Sequence, residues 1–103
     1  MNSENMFMQG DLREHARTQF VKAIRYSVAA LDSKGLKRIH DTAVTIDISS
    51  GGLGIIAGYP LESGHVLTFE DEIRIDNITA KAAIVRWADK IISNKYRAGV
   101  KFL

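Results

Sequence analysis

The chain has 103 residues and a composition that is ordinary for a soluble globular protein, with 46% hydrophobic and 25% charged residues. This length suits one domain, large enough to bury about two-thirds of its chain surface in a single core. The net charge of +2 is too small to indicate a polyanionic partner by itself, and the absence of cysteine excludes both a disulfide scaffold and a thiolate metal site.

The first ten residues are polar apart from Met6-Phe7-Met8 and show no sustained period. We expect residues 1–10 to form a flexible tail, and the alternative is an apolar clip that docks beside a binding site or on a partner. The N-terminus lacks the pattern of a signal peptide, and no apolar run approaches the ~18 residues that span a bilayer. We therefore expect a cytoplasmic protein without membrane insertion.

Two arginines follow, Arg13 and Arg17, four positions apart. In a helix their side chains would share one face about 6 Å apart, whereas in an extended chain they would stand up to about 13 Å apart and straddle a ligand. A guanidinium group pairs bidentately with phosphate and with the O6/N7 edge of guanine. The alternative is a solvated turn, in which Asp11 and Glu14 form local ion pairs worth under ~1 kcal/mol.

Alternating apolar residues predict a first strand over residues 20–28. Its inward residues are Phe20, Ile24, Tyr26 and Val28. Lys22 interrupts this register and indicates a bulge or a strand edge. The strand ends at a turn formed by Asp32-Ser33-Lys34-Gly35. The basic run Lys34–Arg38 is typical of a solvated loop, and the alternative is a rim that attracts an anionic ligand.

The second strand is predicted over Ile39 to Ser49, where β-branched and polar residues alternate. One face of this strand is expected to carry Val44, Ile46 and Ile48, and the other Thr45, Asp47 and Ser49. Glycines then allow the backbone to turn, and Leu53 to Ala57 reads as a short returning strand. The result is a hairpin whose open face carries Asp47 and Ser49.

Asp47 suits one kind of partner especially well. The Watson–Crick edge of guanine presents two N–H donors, and a carboxylate presents two acceptors at a matching separation. Ser49 has two roles open to it, a contact to the ligand or a cap on the turn. Gly52 is interpreted as a backbone requirement, either a positive φ or a close approach. Together with the arginines, these residues describe a site for a guanine nucleotide with more than one phosphate.

Three further strands are predicted in the second half of the chain, the last running from Tyr96 to Phe102. The apolar face of the first of them consists of Leu67, Phe69, Ile73 and Ile75, and that of the second consists of Ala83, Val85 and Trp87. In this register we expect Trp87 to lie in the core rather than to act as a platform on which a base stacks. About six short strands with frequent turns predict an all-β, closed antiparallel barrel without a long C-terminal helix.

Arg13-xxx-Arg17 followed by Asp47-x-Ser49-xx-Gly52 resembles the two-part signature of PilZ domains, bacterial receptors for cyclic di-GMP. Later segments of the chain also resemble the family pattern. They are Gly51-Gly52-Leu53-Gly54-Ile55, Gly64, Ile84-Val85-Arg86-Trp87 and Tyr96-Arg97-Ala98-Gly99-Val100-Lys101-Phe102. The resemblance implies a six-stranded antiparallel β-barrel over residues 11–103, after the flexible tail. The ligand-binding residues that it implies are Arg13, Arg17, Asp47, Ser49 and Gly52, with Leu12, Ser50 and Gly51 as neighbouring positions.

The resemblance also implies a mechanism, in which ligand binding changes a conformation that a partner protein reads. In this family the residue before the first arginine can be a further arginine, which helps to hold a stacked ligand dimer. Leu12 lacks that charge, so we expect one cyclic dinucleotide per domain.

Catalysis is not expected, and neither a metal nor a cofactor is implied. His15, His40 and His65 are scattered without metal-ligand spacing, and the glycine-rich run 51–54 lacks the lysine and helix of a phosphate loop. Two other binding functions remain as alternatives. A nucleic-acid-binding barrel would interleave exposed aromatic and basic residues, and the inward registers of most aromatic residues here argue against it. A PilZ-like scaffold that binds only protein would ordinarily depart from the two-part signature.

Overall fold

Alternation of apolar and polar residues builds six antiparallel strands in the computed structural model, which describes residues 18–49, 51–75 and 77–103. The strands are β1 (Thr18–Asp32), β2 (Gly35–Ser49), β3 (Gly52–Ala57), β4 (Val66–Ile75), β5 (Ile78–Ile92) and β6 (Lys95–Phe102). They close into a barrel in the order β1-β2-β3-β6-β5-β4. The predicted six-stranded antiparallel barrel is thus confirmed. Across the described ranges, no helix is long and apolar enough to cross a membrane.

The barrel interior is filled by apolar side chains that the strands point inward. The largest of the fully buried residues are Tyr26, Leu53, Ile55, Leu67, Val28, Val85 and Thr45. The inward assignments of Ile24, Tyr26 and Val28 are confirmed. Because buried polar groups need hydrogen-bond partners, Thr45 bonds the β1 backbone: its hydroxyl accepts from the Lys22 N–H at 2.9 Å and lies 3.1 Å from the Lys22 carbonyl. The predicted irregularity at Lys22 is also confirmed, as a register shift between Gln19 and Lys22.

The predicted facing of β2 is wrong at Val44 and Thr45. Thr45 is fully buried and Val44 is 43% exposed, the reverse of the expected faces. The reason is a bulge between Thr45 and Asp47, because one extra residue, Ile46, exchanges inward and outward positions along the strand. Beyond the bulge Ile48 is buried, so Asp47 and Ser49, on either side of it, point outward as predicted.

A second bulge overturns the prediction that Trp87 lies in the core. Val85 is buried opposite Val100, but the register shifts before Trp87, which pairs with Gly99. The shift turns the indole to the outside of the barrel, where it is 44% exposed.

Closure of the barrel depends on a short seam between β1 and β4. Only Tyr26, Ser27 and Val28 of β1 pair with β4 among the described residues. The phenol of Tyr26 donates a hydrogen bond of 2.8 Å to Oδ2 of Asp41, and that same oxygen accepts backbone N–H bonds from Gly58 and Tyr59. One carboxylate therefore links the seam, β2 and the loop that follows β3.

We predict that Tyr26→Phe lowers the free energy of unfolding by about 1–3 kcal/mol, because it removes a buried, charge-assisted hydrogen bond while keeping the packing. Urea denaturation measures this change. Tyr96→Phe is the matched control, since no phenol bond of Tyr96 is seen within the described residues, and its effect should stay within about 0.5 kcal/mol. Equal losses in the two variants would contradict the role of Asp41.

The same tyrosine predicts a pH dependence. Burial, reinforced by the hydrogen bond to Asp41, raises the pKa of Tyr26 above its usual range. The protonated phenol is thus favoured in the folded state, so its stabilisation is complete below the unfolded pKa of about 10 and is lost as the pH rises above it. The unfolding free energy of the wild type should fall more steeply above pH ~10 than that of Tyr26→Phe; parallel curves would contradict the assignment.

Candidate functional site

The β2–β3 hairpin brings the second half of the predicted signature together. Ser49 and Gly52 are paired across the hairpin, with Gly51 in its turn. The Ser49 hydroxyl accepts a hydrogen bond from the Gly51 N–H at 3.3 Å, which is the capping role of the two that the sequence left open.

Gly52 is required by a close approach rather than by an unusual backbone conformation. A Cβ atom at this position would lie 2.0 Å from the carbonyl oxygen of Val100 in β6, far inside van der Waals contact. The glycines with positive φ are Gly35 and Gly64 within the described chain. Gly52 thus lets β3 and β6 come together beside the turn.

Asp47 lies on the outer face of β2, where its carboxylate extends over the neighbouring strand. Its partner in the ladder is Gly54, and a Cβ atom there would lie 2.9 Å from the Asp47 Oδ1. Since Leu53 and Ile55 are both buried, Gly54 faces outward, and the missing side chain makes room for the carboxylate.

The next strands continue this arrangement with a second glycine and an aromatic ring. Gly54 pairs with Gly99 of β6, and Gly99 pairs with Trp87 of β5. A Cβ atom on Gly99 would lie 2.3 Å from the indole Nε1, so the indole lies directly over the glycine backbone. We call Asp47, Gly54, Gly99 and Trp87 the outer row. It presents a carboxylate and a half-exposed indole, which lie over one glycine each of the adjacent strands β3 and β6.

The site predicted from the sequence is therefore described in part. Asp47, Ser49, Gly51 and Gly52 lie together on one hairpin, whereas Leu12, Arg13, Arg17 and Ser50 lie outside the described residues. The sequence interpretation missed the rest of the outer row. A signal for it was present, because glycines inside strands mark close approaches, but linking Gly54 to Gly99 requires the order of the strands.

The described residues do not gather three or more His, Cys, Asp or Glu side chains into a cluster that could hold a metal ion. What the outer row offers is a pair of carboxylate acceptors and a half-exposed indole, which cover the glycines of the adjacent strands β3 and β6. This combination suits a planar ligand that carries adjacent N–H donors.

The family model described as PilZ domain matches residues 11–103, nearly the whole chain. No curated protein matches the chain.

Gly51 and Gly52 allow a test of whether the close approach of β3 and β6 requires a glycine. We predict that Gly52→Ala destabilises the fold by about 1–3 kcal/mol or more, because its methyl group would collide with the backbone of Val100. Gly51→Ala is the matched control, since no atom lies within 4 Å of the added methyl group, and its effect should stay within about 0.5 kcal/mol. Thermal unfolding measures both, and similar melting temperatures would contradict the close approach.

Proposed function

Because the chain belongs to the PilZ domain family, a family that binds cyclic di-GMP, we propose that it is a receptor for cyclic di-GMP that signals by a change of conformation. The observation that carries this proposal is the outer row, in which the Asp47 carboxylate lies over Gly54 and the Trp87 indole over the adjacent Gly99. Binding, rather than catalysis, is the function proposed.

Asp47 is assigned to the guanine edge. Its two carboxylate oxygens accept hydrogen bonds from guanine N1–H and N2–H₂, a pairing that adenine lacks. Gly54 and Gly99 are buried beneath this carboxylate and the indole, so a purine ring at this surface meets the two side-chain groups rather than the backbone of β3 and β6. The exposed face of Trp87 then supplies a surface for stacking.

The two arginines are assigned to the phosphates and to the O6/N7 edge of guanine. Arg17 is bonded to Thr18, whose Cα lies opposite Ile48 in the ladder, between Asp47 and Ser49. Consecutive Cα atoms are about 3.8 Å apart, and the five residue steps from Thr18 to Arg13 span at most about 18 Å. Covalent connection alone therefore keeps both guanidinium groups within reach of a ligand at Asp47.

The signal follows from ordering the segment that carries the arginines. Each charge-assisted contact contributes about 1.5–3 kcal/mol, and ordering each residue of a segment costs about 1–2 kcal/mol. Much of the contact energy is therefore offset, and we expect a moderate affinity. A segment held over the hairpin by the ligand forms a new surface, which an output partner protein recognises.

Calorimetric titration tests the site. We predict that Arg13→Ala, Arg17→Ala and Asp47→Ala each weaken cyclic di-GMP binding about ten- to a hundredfold, since each removes one charge-assisted contact. Arg74→Ala and Asp71→Ala remove the same charges from exposed positions on β4 and should bind as the wild type does. Wild-type affinity in the first three variants would refute the site.

The wild-type titration also decides between functions. Selective binding of one cyclic di-GMP per chain, with little binding of GTP or single-stranded DNA, would support the receptor and the role of Leu12. Two ligands per chain would retain the receptor and contradict the expectation from Leu12. A folded protein that binds no cyclic di-GMP would indicate the scaffold that binds only protein.

Trp87 provides a separate optical test, because it is the only tryptophan of the chain. We predict a saturable change in its fluorescence on addition of cyclic di-GMP, with the same midpoint as the calorimetric titration. Trp87→Phe, which keeps an aromatic face, should bind within about tenfold of the wild type, whereas Trp87→Ala should lose about 1–3 kcal/mol of binding free energy. Calorimetric binding without any fluorescence change would exclude Trp87 from the site.

A further inference from the structure

The hairpin formed by β1 and β2 projects beyond the barrel. Each strand has 15 residues, but within the described chain β3 pairs with β2 only from Ala43 onward and β4 pairs with β1 only at residues 26–28. We call residues 29–40, the part that projects, the arm. Seven residue steps lead from Ala43 to Leu36 near its tip, or about 23 Å of strand.

The arm carries an apolar pair near its tip. Leu31 and Leu36 are directly opposite each other in the ladder and are 80% and 74% exposed. They are the most exposed of the large hydrophobic residues in the described part of the chain. Because soluble proteins seldom leave such side chains together in water, the pair indicates a surface that is covered in use.

Cations surround this apolar pair. Lys34 lies in the turn, Arg38 shares the face of Leu36, and Lys37 points to the opposite face. Arg38 is held along its face by a hydrogen bond of 2.8 Å from its guanidinium Nη1 to the Ser27 hydroxyl. Asp32 is the only acid on the arm, and its Oδ2 lies 3.6 Å from Nζ of Lys37, so two cations remain in excess.

A shorter hairpin repeats this chemistry at the same end of the barrel. Because neighbouring strands are antiparallel, the β5–β6 turn lies at the same end as the arm and opposite the β2–β3 turn. Ile91 and Ile92 are 50% and 60% exposed there, and Lys90 and Lys95 adjoin them. The end of the barrel away from Asp47 therefore exposes apolar and basic side chains on two hairpins, with Asp89 as the acid on the shorter one.

We propose that the arm docks on an anionic lipid surface, with Leu31 and Leu36 in the boundary between headgroups and acyl chains and the arm cations against the headgroups. The arm carries cations on both faces and at its turn. A tip inserted into a layer of anionic headgroups would have negative charge on all sides, so the two charge patterns match. A second copy of the chain fits less well, because paired arms would bring Lys37 and Arg38 against like charges along the strand edge.

This docking would leave the candidate ligand site accessible. Asp47 and the β2–β3 turn lie at the opposite end of the barrel from the arm tip. The inference goes beyond the proposed receptor function and stands independently of it, since vesicle binding and cyclic di-GMP binding are separate measurements on different residues.

Co-sedimentation with vesicles tests the proposal. The wild type should bind phosphatidylcholine vesicles that contain phosphatidylserine, should not bind vesicles of phosphatidylcholine alone, and should bind more weakly as salt is added. The double variant Leu31→Ser/Leu36→Ser should bind at least about tenfold more weakly, and Lys34→Gln about fivefold more weakly. Leu103→Ser and Lys81→Gln remove equivalent exposed groups away from the arm and should bind as the wild type does.

Several results would overturn the proposal. They are absence of binding to the anionic vesicles, equal binding to neutral vesicles, and wild-type binding by the leucine variant in its folded form, as judged by circular dichroism. Binding of soluble polyglutamate as tightly as anionic vesicles, unaffected by the leucine substitutions, would point to an acidic protein instead. Self-association of the wild type without lipid, abolished by the leucine substitutions, would point to a second copy.

Discussion

The seam between β1 and β4 is the contact on which closure of the barrel depends. Among the described residues it has three pairs, and the first of them, Tyr26 with Phe69, places the largest of their fully buried side chains at the seam. The tyrosine hydroxyl cannot be buried without a partner, and Asp41 provides one. Because the same carboxylate oxygen holds the backbone of Gly58 and Tyr59, the interaction that closes the barrel also fixes the loop after β3.

In a closed barrel each side chain points either into the interior or out to the surface. The bulges determine which residues point inward and which point outward. The extra residue at Ile46 puts Thr45 inside the barrel and Asp47 outside it. A similar shift before Trp87 puts the indole on the outside as well. Two local irregularities on separate strands thus bring a carboxylate and an aromatic ring to the same outer surface, and the intervening glycines let both lie close to the backbone.

The fold and the hairpin that carries Asp47, Ser49 and Gly52 could be predicted from the sequence, because strand alternation and turn residues are local signals. The irregularity at Lys22 could also be predicted, since a lysine in an apolar register contradicts the pattern. The bulge at Ile46 could not, because an isoleucine continues an apolar pattern whether it lies inside or outside. The position of Trp87 depends on strand order and a register shift in β5, and no local signal encodes either.

The length of β1 has a mechanical consequence. The strand is continuous from Thr18, beside the candidate ligand site, to Asp32, near the tip of the arm, and β4 holds it only at residues 26–28. β2 pairs with β1 along almost its whole length, so the two strands form one ribbon that runs from the candidate ligand site to the tip of the arm. The two ends of the protein, far apart in space, share a single rigid element.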